Sequence, residues 1–353
     1  MAKILIKNGC VWDGEGFFDA DVFVDGTTVS KIAPHIDNEA NFVFDANGMI
    51  VSAGLVDAHT HLRGVSCDKY GTQAEMSCFP FGVTAAADGG ASKGDKALLE
   101  SFMLKTEVFV AAQVKNNKAD FKDTERLMAL FGDRVVGIKS YFDSNAGEIE
   151  SAAPLDEICE FAHKRGLRVM VHCTNSPIAL GEILGALKRG DILTHAFNGS
   201  TNNAEADGFA SMKKAQKRGV LIDAGFAGNV HADFGIMKRA LECGIVPDII
   251  STDITRLSAF VRGGRYGLTM CMSIAKLLGM SEENVFRAVT STPAKALGQN
   301  WGCLKEGSAA DIAVIKECRE PFSLTDKNQN TVESDISYRC ALTISDGQIV
   351  YKD

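Results

Sequence analysis

Through its middle the chain keeps one rhythm: a short, nearly unbroken apolar run, an amphipathic stretch, then another apolar run. The runs are GLVDAH, VTAAADGG, VFVAAQVK, VVGIKSYF, RVMVHC, DILTHAF, VLIDAGF and DIISTDI. Apolar segments without alternation are strands buried on both faces, as in a parallel sheet. Between most of them lie helical patterns such as PLDEICEFAHKRG, AEADGFASMKKAQKRG and DFGIMKRALECG, the last two closing on a glycine suited to a helix C-cap. Only the first interval, Arg63 to Phe81, reads mainly as loop. Strand and helix alternating this many times predict an α/β fold, a (β/α)8 TIM-like barrel. A doubly wound open sheet is the competitor, but it usually carries a Gly-rich phosphate turn after an early strand. DAHTHLRG, residues 57–64, is not such a turn.

Both ends of the chain behave differently. Short β-like runs separated by Asn-Gly and Asp-Gly (ILIKNG, DVFVDG, NFVFDANG, CALTISDG) predict hairpins in a small sheet. Each end is too short to be a good domain alone. Residues 1–51 and 304–353 are therefore expected to combine into one small β-sandwich domain beside a barrel of residues 52–303.

Composition narrows the classes of function. With 46% hydrophobic and 23% charged residues among 353, an ordered chain with a large core is expected. No apolar run has membrane-spanning length, and MAKILIKNGC does not resemble a signal peptide, which points to the cytoplasm. Ten cysteines without a C-x-x-C pair read as reduced, mostly buried thiols. A net charge of −8 with no basic stripe argues against nucleic acid or anionic membrane as partner and favours a small molecule. Assembly into a homo-oligomer stays open.

A barrel of this kind places its chemistry at the C-terminal ends of its strands. His59 and His61 close the first run, Lys139 the fourth, His172 the fifth, His195 the sixth and Asp253 the eighth, so four of the seven histidines fall at strand ends. His59 and His61, two apart, can face one point from a strand. Imidazoles and a carboxylate suit zinc or a similar divalent ion, and four His with one Asp exceed what one tetrahedral ion uses. Two ions need an anionic bridge. A buried lysine sheds its proton more readily, and the neutral amine can capture carbon dioxide as a carbamate with two bridging oxygens. N6-carboxylated Lys139 would be that bridge.

In this order and on these strands, His59-Thr-His61, Lys139, His172, His195 and Asp253 resemble the binuclear amidohydrolase superfamily, with its dihydroorotases, hydantoinases, D-aminoacylases and related deacetylases. KILIKNGCVWDG, GMIVSAGLVDAHTHL, TSTPAKALG, GSAADIAVI and ISDGQIV extend the likeness over the whole chain. The resemblance implies that His59, His61 and Asp253 hold one ion and His172 and His195 the other, with carboxylated Lys139 and a hydroxide between them. That hydroxide would attack an amide, cyclic amide or N- or O-acetyl bond of a small, carboxylate-bearing substrate. Asp253 would be the catalytic residue, taking the proton and passing it to the leaving group.

HTHLRG also resembles dihydroorotases, in which an Arg after the histidine pair binds the substrate carboxylate, a role open to Arg63. The Asn-containing turn that those enzymes carry after strand two is replaced here by ADGGASKGD. That turn and GIKSYF resemble a deacetylase-like group, many members of which have Arg where this chain has Tyr141. Tyr141, Asn175, Asn198 and His231 are further candidates for substrate contact, against packed, loop or exposed roles. His35 and His163 read as structural or exposed, and Cys173 as a packing residue facing away from the lumen. A catalytically silent hydantoinase-like scaffold and a one-metal deaminase are the competing functions. The first would lack ligands this chain keeps, and the second would leave Lys139 without a bridge to make.

Overall fold

The computed structural model describes residues 3–228, 230–261 and 265–353. Seven parallel strands follow one another around its centre: Leu55–Thr60, Val83–Ala91, Lys105–Ala111, Val135–Tyr141, Arg168–His172, Ile192–Thr194 and Leu221–Ile222. Every residue of Val83–Ala91 is buried, as an unalternating apolar run requires. DIISTDI, the eighth run, lies between the seventh strand and the first, with parallel bridges from Asp223 to Ile249 and from Thr60 to Ile254. Hydrogen bonds from Ala224 N to Ile249 O (3.0 Å) and from Asp253 N to His59 O (2.7 Å) close the barrel. A continuous ladder does not form there. Thr252 N and Oγ1 donate to the Asp57 carboxylate at 3.1 and 2.6 Å, so a side chain takes a bond that regular pairing would use.

One local expectation changes. The helix expected over AEADGFASMKKAQKRG is a 3-10 turn, Ala204–Asp207, followed by a helix, Ala210–Lys217. Gly208 and Phe209 between them have φ of +63° and +65°, which a right-handed helix cannot pass through. Buried Phe209 swings into the core at that step. The interval from Arg63 to Phe81 holds one short helix, Ala74–Cys78, and a 3-10 turn, Phe79–Phe81, after an otherwise irregular stretch.

The two ends of the chain share a mixed sheet of eight strands: Lys3–Trp12, Phe17–Asp25, Thr28–Ala33, Phe42–Asp45 and Met49–Ala53 with Ile312–Thr325, Thr331–Ser345 and Gln348–Lys352. Met49–Ala53 joins them, parallel to Lys3–Trp12 and antiparallel to Ile312–Thr325. Ile4, Ile6, Val22, Val24, Val51, Val314, Leu342 and Ile344 belong to its separate core. Asp25-Gly26 and Asp346-Gly347 make the expected hairpins. Asn8-Gly9 does not: the first strand runs through it, with a register shift between Ile6 and Gly9 and a left-handed φ of +59° at Asn8. A Cβ on Gly9 would lie 2.4 Å from Val51 Cγ2, so close packing sets glycine there rather than a turn.

Buried Trp12 ties sheet to barrel. Its ring lies 4.7 Å from that of Phe17 and 6.4 Å from that of Phe286, and its Nε1 donates to Thr290 Oγ1 at 3.3 Å. A second tie is the hairpin Ile312–Thr325/Thr331–Ser345, whose tip reaches barrel loops: Lys327 N donates to Ala232 O at 3.3 Å. Among the described residues no helix is long and apolar enough to cross a membrane. The ten cysteines are free thiols.

Candidate metal centre

Strand ends place the candidate ligands. His59 lies in the first barrel strand with His61 just beyond it, and Lys139 and His172 lie in the fourth and fifth. At the sixth and eighth positions the backbone itself turns: His195 and Asp253 have φ of +55° and +47°. For residues with a Cβ this region costs about 1–3 kcal/mol, and such strain collects at functional sites. Gly89 makes room, since a Cβ there would lie 2.0 Å from His59 Cδ2.

Two clusters result. One ligand atom from each of His59, His61 and Asp253 lies within 4.8 Å of the others, and the same holds for His172, His195 and His231. Asp253 spans them: Oδ1 is 2.9 Å from His61 Nε2 and 3.4 Å from His59 Nε2, while Oδ2 is 3.7 Å from His195 Nε2 and 3.8 Å from His231 Nε2. Lys139, fully buried, puts Nζ 3.0 Å from His59 Nε2 and 3.3 Å from Met170 Sδ.

The outer nitrogens are already engaged. His59 Nδ1 lies 3.0 Å from Thr194 Oγ1, whose proton goes to Asp223 Oδ2 at 2.7 Å. His61 Nδ1 lies 2.8 Å from Ser66 Oγ, which donates to Asp88 at 2.9 Å. His195 Nδ1 donates to Gly225 O at 2.6 Å. Each bond leaves Nε2 with its lone pair free, the state in which imidazole binds a metal. His195 Nε2 is buried without a hydrogen-bond partner among the described residues, which a native fold rarely leaves unless something else binds there. Imidazole nitrogens and a carboxylate are also the donor types that zinc-like ions take. The residues fit a pair of divalent ions.

Electrostatics agree for every ring but His61. Burial, then the neighbouring Lys139 ammonium, holds His59 well below the usual histidine range, and burial with nearby imidazoles does the same for His195. Burial lowers His172, and it takes His231 down to about 4. Burial opposes protonation of His61 too, but adjacent Asp253 outweighs it and raises that ring. Burial would raise Asp253; the surrounding imidazoles, His59 first, instead hold it well below the carboxylate range. Lys139 is pushed down to about 8 by burial, against the pull of Asp253 and Asp223.

A cavity of about 500 Å3 opens over both clusters, lined also by Tyr70, Tyr141, Asp143, Val230 and Leu257. Tyr141 thus faces the cavity, and His231, which lines it too, lies against His172 and His195. Arg63 is exposed and is not among the lining residues. Nor are the two asparagines. Asn175 Nδ2 donates to Ser144 Oγ, and buried Asn198 bonds His195 O (3.0 Å) and Ser200 N (3.1 Å), bracing its own loop. His35 is exposed beside Asp37, His163 bonds Asp191 at 3.0 Å, and Cys173 packs in the core.

Sequence reasoning missed the residues behind the ligands. Asp88 in ADGG and Asp223 in LIDAG were visible as carboxylates at strand ends, and Thr194 directly precedes His195. Asp143 was missed as well. It lies 3.7 Å from His172 Nε2 and accepts from Thr174 Oγ1 at 3.0 Å. Although burial works against ionisation, these partners hold its carboxyl far below the usual range.

The chain is similar to several known proteins. A deacetylase of Enterococcus faecalis is 27% identical over 98% of this chain and 98% of its own. A dihydroorotase of Streptococcus thermophilus is 25% identical over 99% and 100%. Among solved structures, an adenine deaminase superposes with a TM-score of 0.85 at 25% identity, covering 99% of each chain, and a dihydroorotase with 0.86 at 21% over the same shares. The model of the amidohydrolase family matches residues 50–350, and the chain belongs to that family.

Proposed function

We propose that the protein is a two-ion hydrolase cleaving an amide, cyclic amide or N- or O-acetyl bond of a small molecule. The observation that carries this reading is the pair of three-residue clusters joined by Asp253, with the Lys139 amine buried among them. Among the described residues Lys139 forms no ion pair; its Nζ bonds an imidazole and a thioether and lies 5.7 Å from the Tyr141 ring centroid. A buried ammonium without an ion-pair partner is costly. Carboxylation of Nζ removes that cost and supplies an anion between the clusters.

Two divalent ions, zinc by donor type, would supply Lewis acidity and acidify a bound water towards neutrality. His59, His61 and Asp253 would hold one, His172 and His195 the other, with carboxylated Lys139 shared. Asp253, kept ionised by the rings around it, accepts the proton of the attacking water and returns it to the leaving amine or alcohol. Tyr70, Val230 and Leu257, all partly exposed at the cavity, offer apolar contact to the rest of the substrate. The relatives named deacetylase support acyl-bond cleavage. With Arg63 outside the cavity lining, the carboxylate clamp of a dihydroorotase has less support.

The test is metal content and substrate. Protein loaded with zinc in bicarbonate should hold about two ions per chain, give a carbamate signal in 13C NMR with labelled bicarbonate, and turn over at least one of N-acyl amino acids, acetylated hydroxy acids, dihydroorotate or hydantoins. Protein that binds no ion would be the silent scaffold instead, and one ion would favour the deaminase reading.

A further inference from the structure

The tip of the long terminal hairpin holds the segment that carries His231. Three residues in succession after that histidine are bonded to it. Ala232 O accepts from Lys327 N at 3.3 Å, Asp233 Oδ2 accepts from Asn328 Nδ2 at 2.7 Å, and Phe234 N donates to Asp326 Oδ2 at 2.8 Å. Asp326 is 1% exposed, and it also accepts from the backbone of Asn328 (2.8 Å) and Asn330 (2.9 Å). A buried carboxylate is costly unless its bonds are made, so this one fixes both the hairpin tip and the start of the helix Phe234–Glu242.

What that clamp presents to the barrel is an imidazole. The His231 ring centroid lies 4.3 Å from that of His195, closer than His195 lies to His172 (4.7 Å), and 5.0 Å from that of His172. His195 Nδ1 is spent on Gly225 O, so the atom it has left for this cluster is Nε2, buried and without a partner. Here three imidazoles offer nitrogens within 4.8 Å of one another, which is the donor set of a three-histidine zinc site with one place left over.

We propose that His231 is a third nitrogen ligand of the ion held by His172 and His195, and that Asp326, from the terminal sheet, is the residue that positions it. The proposal rests on the two-ion reading above. It makes the second site independent of the state of Lys139, since three protein nitrogens remain when the lysine is unmodified.

Cobalt(II) titration of the metal-free full-length chain, followed by calorimetry and by visible absorption, separates the outcomes. The unaltered protein should take up two ions. His231→Ala and Asp326→Ala should bind the first ion as before and the second about 10-fold or more weakly, with a changed absorption band for the second ion only. Should Asp326→Ala fail to fold, Asn328→Ala tests the clamp and His231→Ala alone tests the ligand. Unchanged affinity for both ions in His231→Ala, with a raised KM, would make the ring a substrate contact and overturn the proposal. Loss of the second ion in His231→Ala but in neither hairpin variant would overturn the positioning role of the tip. Failure of the unaltered chain to bind two ions would instead defeat the hydrolase reading and this one with it.

Discussion

Thr194 Oγ1 lies 3.0 Å from His59 Nδ1 while donating its own proton to Asp223 at 2.7 Å, so the hydroxyl can only accept from the imidazole. His59 is thereby held as the Nδ1-protonated tautomer with Nε2 turned to Asp253 and Lys139. Thr194→Val keeps the shape and removes the acceptor. The first ion should then bind roughly 10-fold more weakly, the usual effect of losing such a partner, as measured by competition with a chromophoric chelator. Unchanged affinity would show that packing alone orients the ring.

Gly89→Ala tests the space on the other side of the same ring. The added methyl would sit 2.0 Å from His59 Cδ2, inside any real contact distance, so the imidazole must move. A folded variant with a near-normal circular dichroism spectrum and less than one tightly bound ion in place of the first is the expected result. Full metal content would mean that the second strand yields instead of the ring.

Asp253→Asn removes the proton acceptor while keeping an oxygen near His61. Metal content should stay close to that of the unaltered protein and turnover should fall by a factor on the order of 100 or more. Near-normal turnover in steady-state assays would take the proton-transfer role away from this residue.

Glu107 gives a prediction about stability, away from the centre. Its Oε1 accepts from Arg134 Nη1 (3.4 Å) and Gln299 Nε2 (3.1 Å), its Oε2 is buried without a partner, and burial pushes the carboxyl up to about 7 against the pull of Arg134. The fold thus favours the protonated acid. The resulting penalty is absent below the ordinary value of 4.5 and grows as pH rises to about 7. Between those limits the stability of Glu107→Gln should improve relative to the unaltered protein by ~3 kcal/mol, read by urea unfolding at several pH values. A difference that does not change with pH would show that Glu107 titrates normally.

The barrel was legible because its strands are buried on both faces and so carry unbroken apolar runs. Its candidate ligands stood out because they end those runs. DIISTDI was read correctly as an eighth strand position, but not its irregular pairing, which depends on Asp57 reaching Thr252 from far along the chain. The break at Gly208-Phe209 lay hidden for a similar reason. A helical pattern does not reveal that one aromatic must leave it to reach the core. Arg63, from its place after the histidines, read as either a substrate clamp or a surface-loop residue, and the loop carries it to solvent. For His231 the spacing along the chain left a substrate contact and an exposed position equally open, and it says nothing about a hairpin whose tip folds back onto the segment after that residue.

The central position of Met49–Ala53, between Lys3–Trp12 and Ile312–Thr325, also bears on how the molecule comes to be made. A chain leaving the ribosome presents the N-terminal half of that sheet first, with the edge of Met49–Ala53 bare until more than two hundred and fifty further residues have been synthesised. Open β edges invite wrong partners. During that interval the nascent polypeptide is expected to depend on chaperones, and the arrival of Ile312–Thr325 is the event that covers the edge.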